Sequence, residues 1–415
     1  MNAPATVEAI RSAFPALRRK QGSNPVAYFD GPGGTQVPSE VAHAMTVYLL
    51  KHNANTAWAY PASEETDAML EGARDAAADF LNARPSEIAF GNNMTTLTFH
   101  LARALGAKWG KGDEIVVTDL DHHANVAPWK RLEKERGVTV RHVGVHVSGE
   151  QQGQLDWASF EAALNSRTKL VAVGAASNGI GTISDVARAV RMAHAVGALA
   201  FVDAVHYAPH ELVDVREWDC DFLACSGYKF YGPHMGILYG KEALVRALDV
   251  PKLDPAPDWP SENLETGTQN HEGIAGALAT INFLAGLAEP AGNALRRERL
   301  AATYAELHLR AQAHVERLWH GLGAIHGVTL FGPDATKPRT PTVSFTLAGH
   351  TAKEVAQALA ERAIFVSHGD FYASTIIQRL GQSEHGVVRV GCACYTTGEE
   401  AGRVISAVSE IARRA

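Results

Sequence analysis

Between Ile88 and Tyr239 the chain repeats one pattern: a short apolar run, a polar cluster, then a stretch with apolar positions three and four apart. EIVVTDLDHHANV runs out at Asp121, His122 and His123, and KLVAVGAASNGIG at Ser177 and Asn178. ALAFVDAVHYAPH runs out at Asp203 and His206, and DFLACSGYKFYG at Ser226 and Lys229. Unbroken apolar runs mark strands covered on both faces, and amphipathic stretches such as 186–196 mark helices between them. Their alternation predicts an α/β protein with a mostly parallel central sheet.

Past residue 290 the pattern changes. A long helical period over 295–322 leads to the short strands VTLFG and TVSFTL. Thr351 with Glu354, and Thr397 with Glu400, carry the capping-box spacing that opens a helix. This predicts a smaller α+β domain. A chain of 415 residues also exceeds what one core usually serves. The expected division is an N-terminal arm (1–25), a large domain (26–290) and a small C-terminal domain (291–415). The proline- and acid-rich stretch 251–265 reads as a loop.

Composition narrows the partners. A net charge of -7 argues against a nucleic-acid ligand, which wants a basic face. Four cysteines do not make a disulfide framework, and no apolar run reaches a membrane span. The N-terminus lacks the apolar core of a signal peptide, so the cytoplasm is the expected compartment. No metal is expected, because no ligand set has zinc-like spacing. The adjacent His122 and His123 cannot readily face one ion, and HVGVH (142–146) reads as a strand. GPGGTQVP (31–38) lacks the ending of a P-loop and reads as a turn near the pocket.

In a parallel sheet, ligands bind at the carboxyl ends of the strands. Four runs here deliver His, Asn, Asp and Lys to that edge. Lys229 is either a surface lysine with a packed stem or, if desolvated, an amine able to form a Schiff base. Asp203 ends a buried run, as a helix cap, an ion-pair partner or the acid that pairs with a pyridinium nitrogen. Thr95 and Thr96 open a helix whose free amides suit a phosphate, although simple capping uses the same residues. His122 could lie flat on a cofactor ring.

These residues, with YFDGPGGTQVP, DLDHHANVAPW, SNGIGTI, FVDAVHYAPH, CSGYKFYGPHMGILYG, ETGTQN and VVRVGCACYTT, resemble the class V aminotransferase group of fold-type I pyridoxal phosphate (PLP) enzymes. Within that group the chain is most similar to the cysteine desulfurase-like proteins. The resemblance runs from about Tyr28 to the end. It implies a homodimer with the site at the subunit interface and PLP as cofactor. Lys229 is then the Schiff-base lysine, Asp203 the partner of the pyridine nitrogen and His122 the stacking histidine. Asn178 and His206 fall near the phenolic oxygen, with Tyr228 close by. Thr95 and Ser226 match phosphate contacts, with the Thr96 hydroxyl beside them at the helix start, and Thr268 matches one made across the dimer. Arg389 matches the clamp on the substrate carboxylate, a bidentate task suited to a guanidinium.

The resemblance implies Cβ–S cleavage of an amino acid through an external aldimine and an enamine or aminoacrylate. Epimerisation or racemisation, transamination and enamine-based C–C bond formation are the alternatives. A non-catalytic regulator is a further one, disfavoured by the lack of a separate DNA-binding segment. Two departures qualify the resemblance. His206 and Tyr228 stand where the desulfurases carry glutamine and histidine. On the loop that carries their nucleophilic cysteine, this chain reads GDFYA (369–373), with Tyr372 in the cysteine's place. The cysteines it does have include the pair in VVRVGCAC. Read as one strand, Arg389, Gly391 and Ala393 share a face, and Val388, Val390, Cys392 and Cys394 share the other. The pair is then expected to be core.

Overall fold

The computed structural model describes residues 4–260, 262–288 and 293–413. Seven strands form the central sheet: β1 (Ile88–Gly91), β2 (Glu114–Thr118), β3 (Thr139–Val143), β4 (Thr168–Gly174), β5 (Leu199–Asp203), β6 (Phe222–Ser226) and β7 (Gly236–Gly240). Their order is β1-β7-β6-β5-β4-β2-β3. The run from β6 to β3 is parallel, and β7 pairs antiparallel with both β6 and β1. The expected mostly parallel α/β sheet is therefore present.

Alternation along each strand builds a core on both faces. Ile115, Val117, Leu170, Ala172, Phe201 and Phe222 point one way, toward Leu97, Leu101 and Trp129 of two covering helices. Trp129 meets Phe201 edge to face at 5.3 Å. Val116, Val171, Val173, Ala200, Val202 and Leu223 point the other way. There they meet Val186, Ala189, Val190 and Ala193, one stripe of the helix Val186–Ala195. Asp185 caps that helix by accepting from the Arg188 amide. Each Val, Leu, Ile or Phe among them, fully buried, contributes roughly 1.5–3 kcal/mol. This two-sided core holds the carboxyl ends of β2, β4, β5 and β6 in fixed register.

Four more strands form a separate antiparallel sheet: β8 (Val328–Phe331), β9 (Thr342–Leu347), β10 (Ser367–Gly369) and β11 (Val387–Gly391), in the order β8-β9-β11-β10. Both capping boxes form and open helices that pack on it. Thr351 Oγ1 accepts from the Glu354 amide at 3.2 Å, and Thr397 Oγ1 from the Glu400 amide at 3.1 Å. The long helix Arg296–Gly323 fills the expected 295–322 period.

Two local expectations need correction. HVGVH is not one strand: β3 stops at Val143, and His142 turns to bond Asp119 at 3.0 Å. VVRVGCAC is not one strand either. β11 stops at Gly391, whose amide donates to the Phe29 carbonyl and against which Pro32 packs. The Thr396 hydroxyl then draws the Ala393 amide into a turn. Cys392 keeps company with Val388 and Val390, whereas Cys394 crosses to the core that holds Val387 and Tyr395. Stretch 251–265 is irregular but for a single 3-10 turn, Glu262–Leu264, with Ser261 outside the described residues. The expected domain boundary at 290/291 also lies outside them. Among the described residues no helix is long and apolar enough to cross a membrane.

Candidate active site

A cavity of about 410 Å³ opens at the carboxyl ends of the parallel strands. Lys229 follows β6 on the turn Gly227–Lys229, where a side chain at 227 would meet the Pro233 carbonyl at 2.8 Å. The Lys229 amine is partly buried and donates to the carbonyls of Pro32 at 2.5 Å and Gly33 at 3.1 Å. Burial first, then the Arg389 charge, push its pKa down to about 7, with Asp203 opposing. A fraction of the amine is thus neutral near pH 7, which a surface lysine would not be.

Asp203 closes β5 and is only 6% exposed. Its Oδ1 accepts from the Val205 amide at 2.9 Å, and no cation bonds it among the described residues. Burial raises its pKa to about 6, against the Val205 amide and Lys229. A buried carboxylate with so little compensation is poised for a cationic partner from the cavity.

His122 leaves β2 and starts the turn His123–Asn125. Its Nδ1 accepts from the Ala124 amide at 3.0 Å, which puts the proton of the neutral ring on Nε2. Burial, then Lys229, His123 and Arg389, hold its pKa down at about 4, with Asp370 opposing. His206 is also kept neutral, by burial above all, and its Nε2 lies 3.0 and 3.1 Å from the Thr340 and Thr342 hydroxyls.

Ser226 Oγ accepts from the Met94 amide at 3.1 Å, which leaves its own proton free. Met94 starts a 13-residue helix with no acid in its first turn, so a local positive field faces the cavity. Thr95 lines the cavity there, and Tyr228 lines it stacked on His234 at 4.8 Å. Thr96 does not: its hydroxyl donates to the Asn93 carbonyl, and it lines a neighbouring groove of about 590 Å³ with Thr268, His100 and Arg103. Thr268 therefore stands outside this chain's own cavity. Asn92 borders both spaces.

Arg389 lies on β11 and is 2% exposed. Its Nε donates to Ser367 Oγ at 3.0 Å and its Nη1 to the Asn178 carbonyl at 2.7 Å. Burial lowers its pKa to about 9, with the nearby Asp30 opposing. Arg389 is not part of the cavity wall. Its Nη2 faces Gly33, where even a β-carbon would sit 3.7 Å away. The free edge of Arg389 and the Lys229 amine thus meet at one loop, Pro32–Gly33.

Several residues of the site carry no motif. The Pro32 and Gly33 carbonyls hold Lys229, though glycine density in GPGGTQVP was a signal for that loop. Asp121 also lines the cavity, and burial raises its pKa to about 7 despite bonds from Thr118 and Asn125. The bare Gly174 makes room for it, since a β-carbon there would lie 2.6 Å from Asp121 Oδ1. No cysteine lines this cavity. Cys392 and Cys394 border a different one, of about 420 Å³, and burial pushes both thiols up, Cys394 to about 12. Tyr372 is 73% exposed, its ring 5.7 Å from that of His122.

Residues 27–404 match the family model Aminotransferase class-V. The chain is 32% identical over 420 residues to the aminotransferase-like protein FGM3 of Gibberella zeae, covering 98% of each. It is 30% identical to a cysteine desulfurase of Dickeya dadantii, covering 98% of this chain and 97% of that one. Among solved structures, the apo cysteine desulfurase of Thermococcus onnurineus superposes with a TM-score of 0.89 at 29% identity, over the whole of both chains.

Proposed function

The chain belongs to the aminotransferase class-V family of PLP-dependent enzymes, and on that premise we propose that it cleaves the Cβ–S bond of an amino acid. The observation that carries the reading is the convergence of Lys229, Asp203, His122 and Asn178, from four different strand ends, on one cavity. The residues present fit the cofactor. Asp203 offers a buried carboxylate that lacks a cation. Ser226, the Thr95 hydroxyl and the Thr95 amide at the start of the helix Met94–Gly106 suit a phosphate, and the flat face of neutral His122 suits an aromatic ring.

When bound, PLP supplies an electron sink for the pair left on the substrate's Cα. The chain's own residues do the rest. Arg389 holds the substrate carboxylate through its Nη2 edge. Lys229 takes the Cα proton as general base, a task matched to an amine that titrates near 7. His122 and His206 add no charge, so the negative charge that Asp203 retains is not offset by imidazolium. Sulfur then leaves from Cβ with its bonding pair. With Tyr372 in place and no thiol in the cavity, sulfur departs to solvent rather than onto the enzyme. The test is product analysis of the PLP-loaded protein with cysteine and with cysteine sulfinate. Sulfide is expected from cysteine, where sulfur leaves with the bonding pair, and sulfite with alanine from the sulfinate, where sulfur dioxide leaves and Cβ keeps the pair. Deuterium entry at Cα without release would instead make the enzyme an epimerase.

The homodimer belongs to the same proposal. Leu50 and Trp58 are 79% and 60% exposed, with Leu49 and Tyr60 beside them, an apolar surface that a second subunit would cover. That Thr268 lies outside its own cavity supports a role for it across the dimer. Light scattering should give twice the 44.4 kDa chain mass, and Leu50→Asp with Trp58→Asp should shift it toward the monomer and weaken PLP binding. We also propose the cytoplasm as its compartment, in keeping with four unpaired, buried cysteines. The large domain is taken to hold the seven-stranded sheet and the small domain the four-stranded one, after an N-terminal arm.

A further inference from the structure

The turn that carries Tyr372 is strained. Phe371 and Tyr372 sit consecutively at φ +57° and +55°, a left-handed conformation that costs a non-glycine residue roughly 1–2 kcal/mol. Such strain persists only where the surroundings over-determine it. Here the site itself does so. Asn178 Nδ2 donates to the Phe371 carbonyl at 2.9 Å, and the His123 amide donates to the Tyr372 carbonyl at 2.7 Å. Asp370 Oδ1 accepts from the Tyr372 amide at 3.1 Å.

The outcome is one aromatic ring on each of two site residues. Phe371 lies 3.8 Å from the Arg389 guanidinium carbon and closes one face of it. Ser367 and Asn178 engage Nε and Nη1, so the Nη2 edge is what remains for a carboxylate. Tyr372 stands beside His122, which lines the cavity, and its ring is open to solvent. A thioether is polarizable and apolar and gains from contact with an aromatic ring, whereas a bare thiol has little to place there.

We propose that Phe371 and Tyr372 determine specificity: Phe371 positions Arg389, and Tyr372 receives the sulfur substituent of an S-aryl or S-alkyl cysteine, a β-thioether amino acid preferred over free cysteine. The inference rests on the C–S cleavage reading above. In the reaction the Cα–H and Cβ–S bonds break and a Cα=Cβ bond forms. Sulfur leaves with the bonding pair as a thiolate and takes up a proton. Water then converts the released 2-aminoacrylate to pyruvate and ammonia, so thioether plus water gives thiol, pyruvate and ammonia without any oxidant or sulfur acceptor.

The experiment compares S-phenylcysteine with cysteine as substrates of the PLP-loaded enzyme. It also compares homophenylalanine, in which a methylene replaces sulfur, with alanine as non-cleavable ligands by calorimetry. Wild type should turn over S-phenylcysteine with the higher kcat/KM and bind homophenylalanine more tightly than alanine. Tyr372→Ala should weaken homophenylalanine by roughly three- to tenfold, the worth of an aromatic contact, and alanine by under about twofold. Phe371→Leu should weaken both ligands alike and raise KM for both substrates, since it disturbs the shared carboxylate site. Equal losses in Tyr372→Ala, or a preference for cysteine or its sulfinate, would overturn the proposal. Failure of the underlying reading looks different: homophenylalanine still binds in a Tyr372-dependent way, but no substrate releases sulfur.

Discussion

Replacing Lys229 with alanine is expected to abolish turnover, by at least about 10²–10⁴-fold for the loss of a positioned general base, and to leave PLP bound without a covalent link. Borohydride treatment followed by peptide mass analysis reads this directly. Wild type should carry a reduced cofactor on the peptide containing Lys229, and Lys229→Ala should carry none. A labelled peptide in the variant would displace the assignment to another amine. The pH dependence follows from the same residue. A lysine with pKa about 7 is mostly protonated at pH 6 and mostly neutral at pH 8. Capture of PLP by the cofactor-free protein, which needs the free amine, should therefore rise with pH through 7 and level off above 8. A lysine of ordinary pKa would still be climbing at pH 10. Arginine at 229 should not rescue activity, because its guanidinium never gives up its proton in this range.

How much of this was legible in the sequence depends on what each residue reports to its neighbours. Period and run length gave the central strands closely, because a strand buried on both faces must be apolar throughout. Both capping boxes were legible because capping is local: Thr397 needs only Glu400 three residues on. Where VVRVGCAC stops being a strand was not legible. Pro32 packs on Gly391 and the Thr396 hydroxyl bends the chain at Ala393, and the first of these contacts joins segments more than 350 residues apart. Hence Cys394 lies in a different core from Cys392.

The site divides along the same line. Lys229, Asp203, His122 and Asn178 each end a run that announces itself, so their meeting at one sheet edge was an argument from topology. The Pro32 and Gly33 carbonyls, the seat of Arg389 against Phe371 and the place of Asp121 behind Gly174 are long-range and mostly main-chain or steric. They leave little mark on residue identity. Thr96 and Thr268 show the converse. Their residue types suit a phosphate, but the helix turn carries Thr96 away from the cavity that Thr95 lines, and Thr268 faces a separate groove.

Asp203→Ala should be the second severe variant, and its defect should differ in kind. A carboxylate that is 6% exposed and bonded only through Oδ1 is costly to keep charged without a cationic partner. Removing one member of a buried pair costs roughly 3–5 kcal/mol, or about 10²–10⁴-fold. That loss should fall on PLP affinity and on kcat together, while the covalent link to Lys229 survives borohydride trapping. Asp203→Asn keeps the shape but not the charge and should recover folding without recovering kcat. A stability measurement on the cofactor-free protein separates the roles further. Burial raises the Asp203 pKa from 3.8 to about 6, so between these values the folded chain keeps a proton that the unfolded chain has lost. Wild-type stability should accordingly fall as pH rises through that window, by up to about 3 kcal/mol, and Asp203→Asn should lose this share of the slope. If the asparagine variant kept both the slope and full kcat, Asp203 would be a structural cap and the acid facing the cofactor would have to be sought at Asp121.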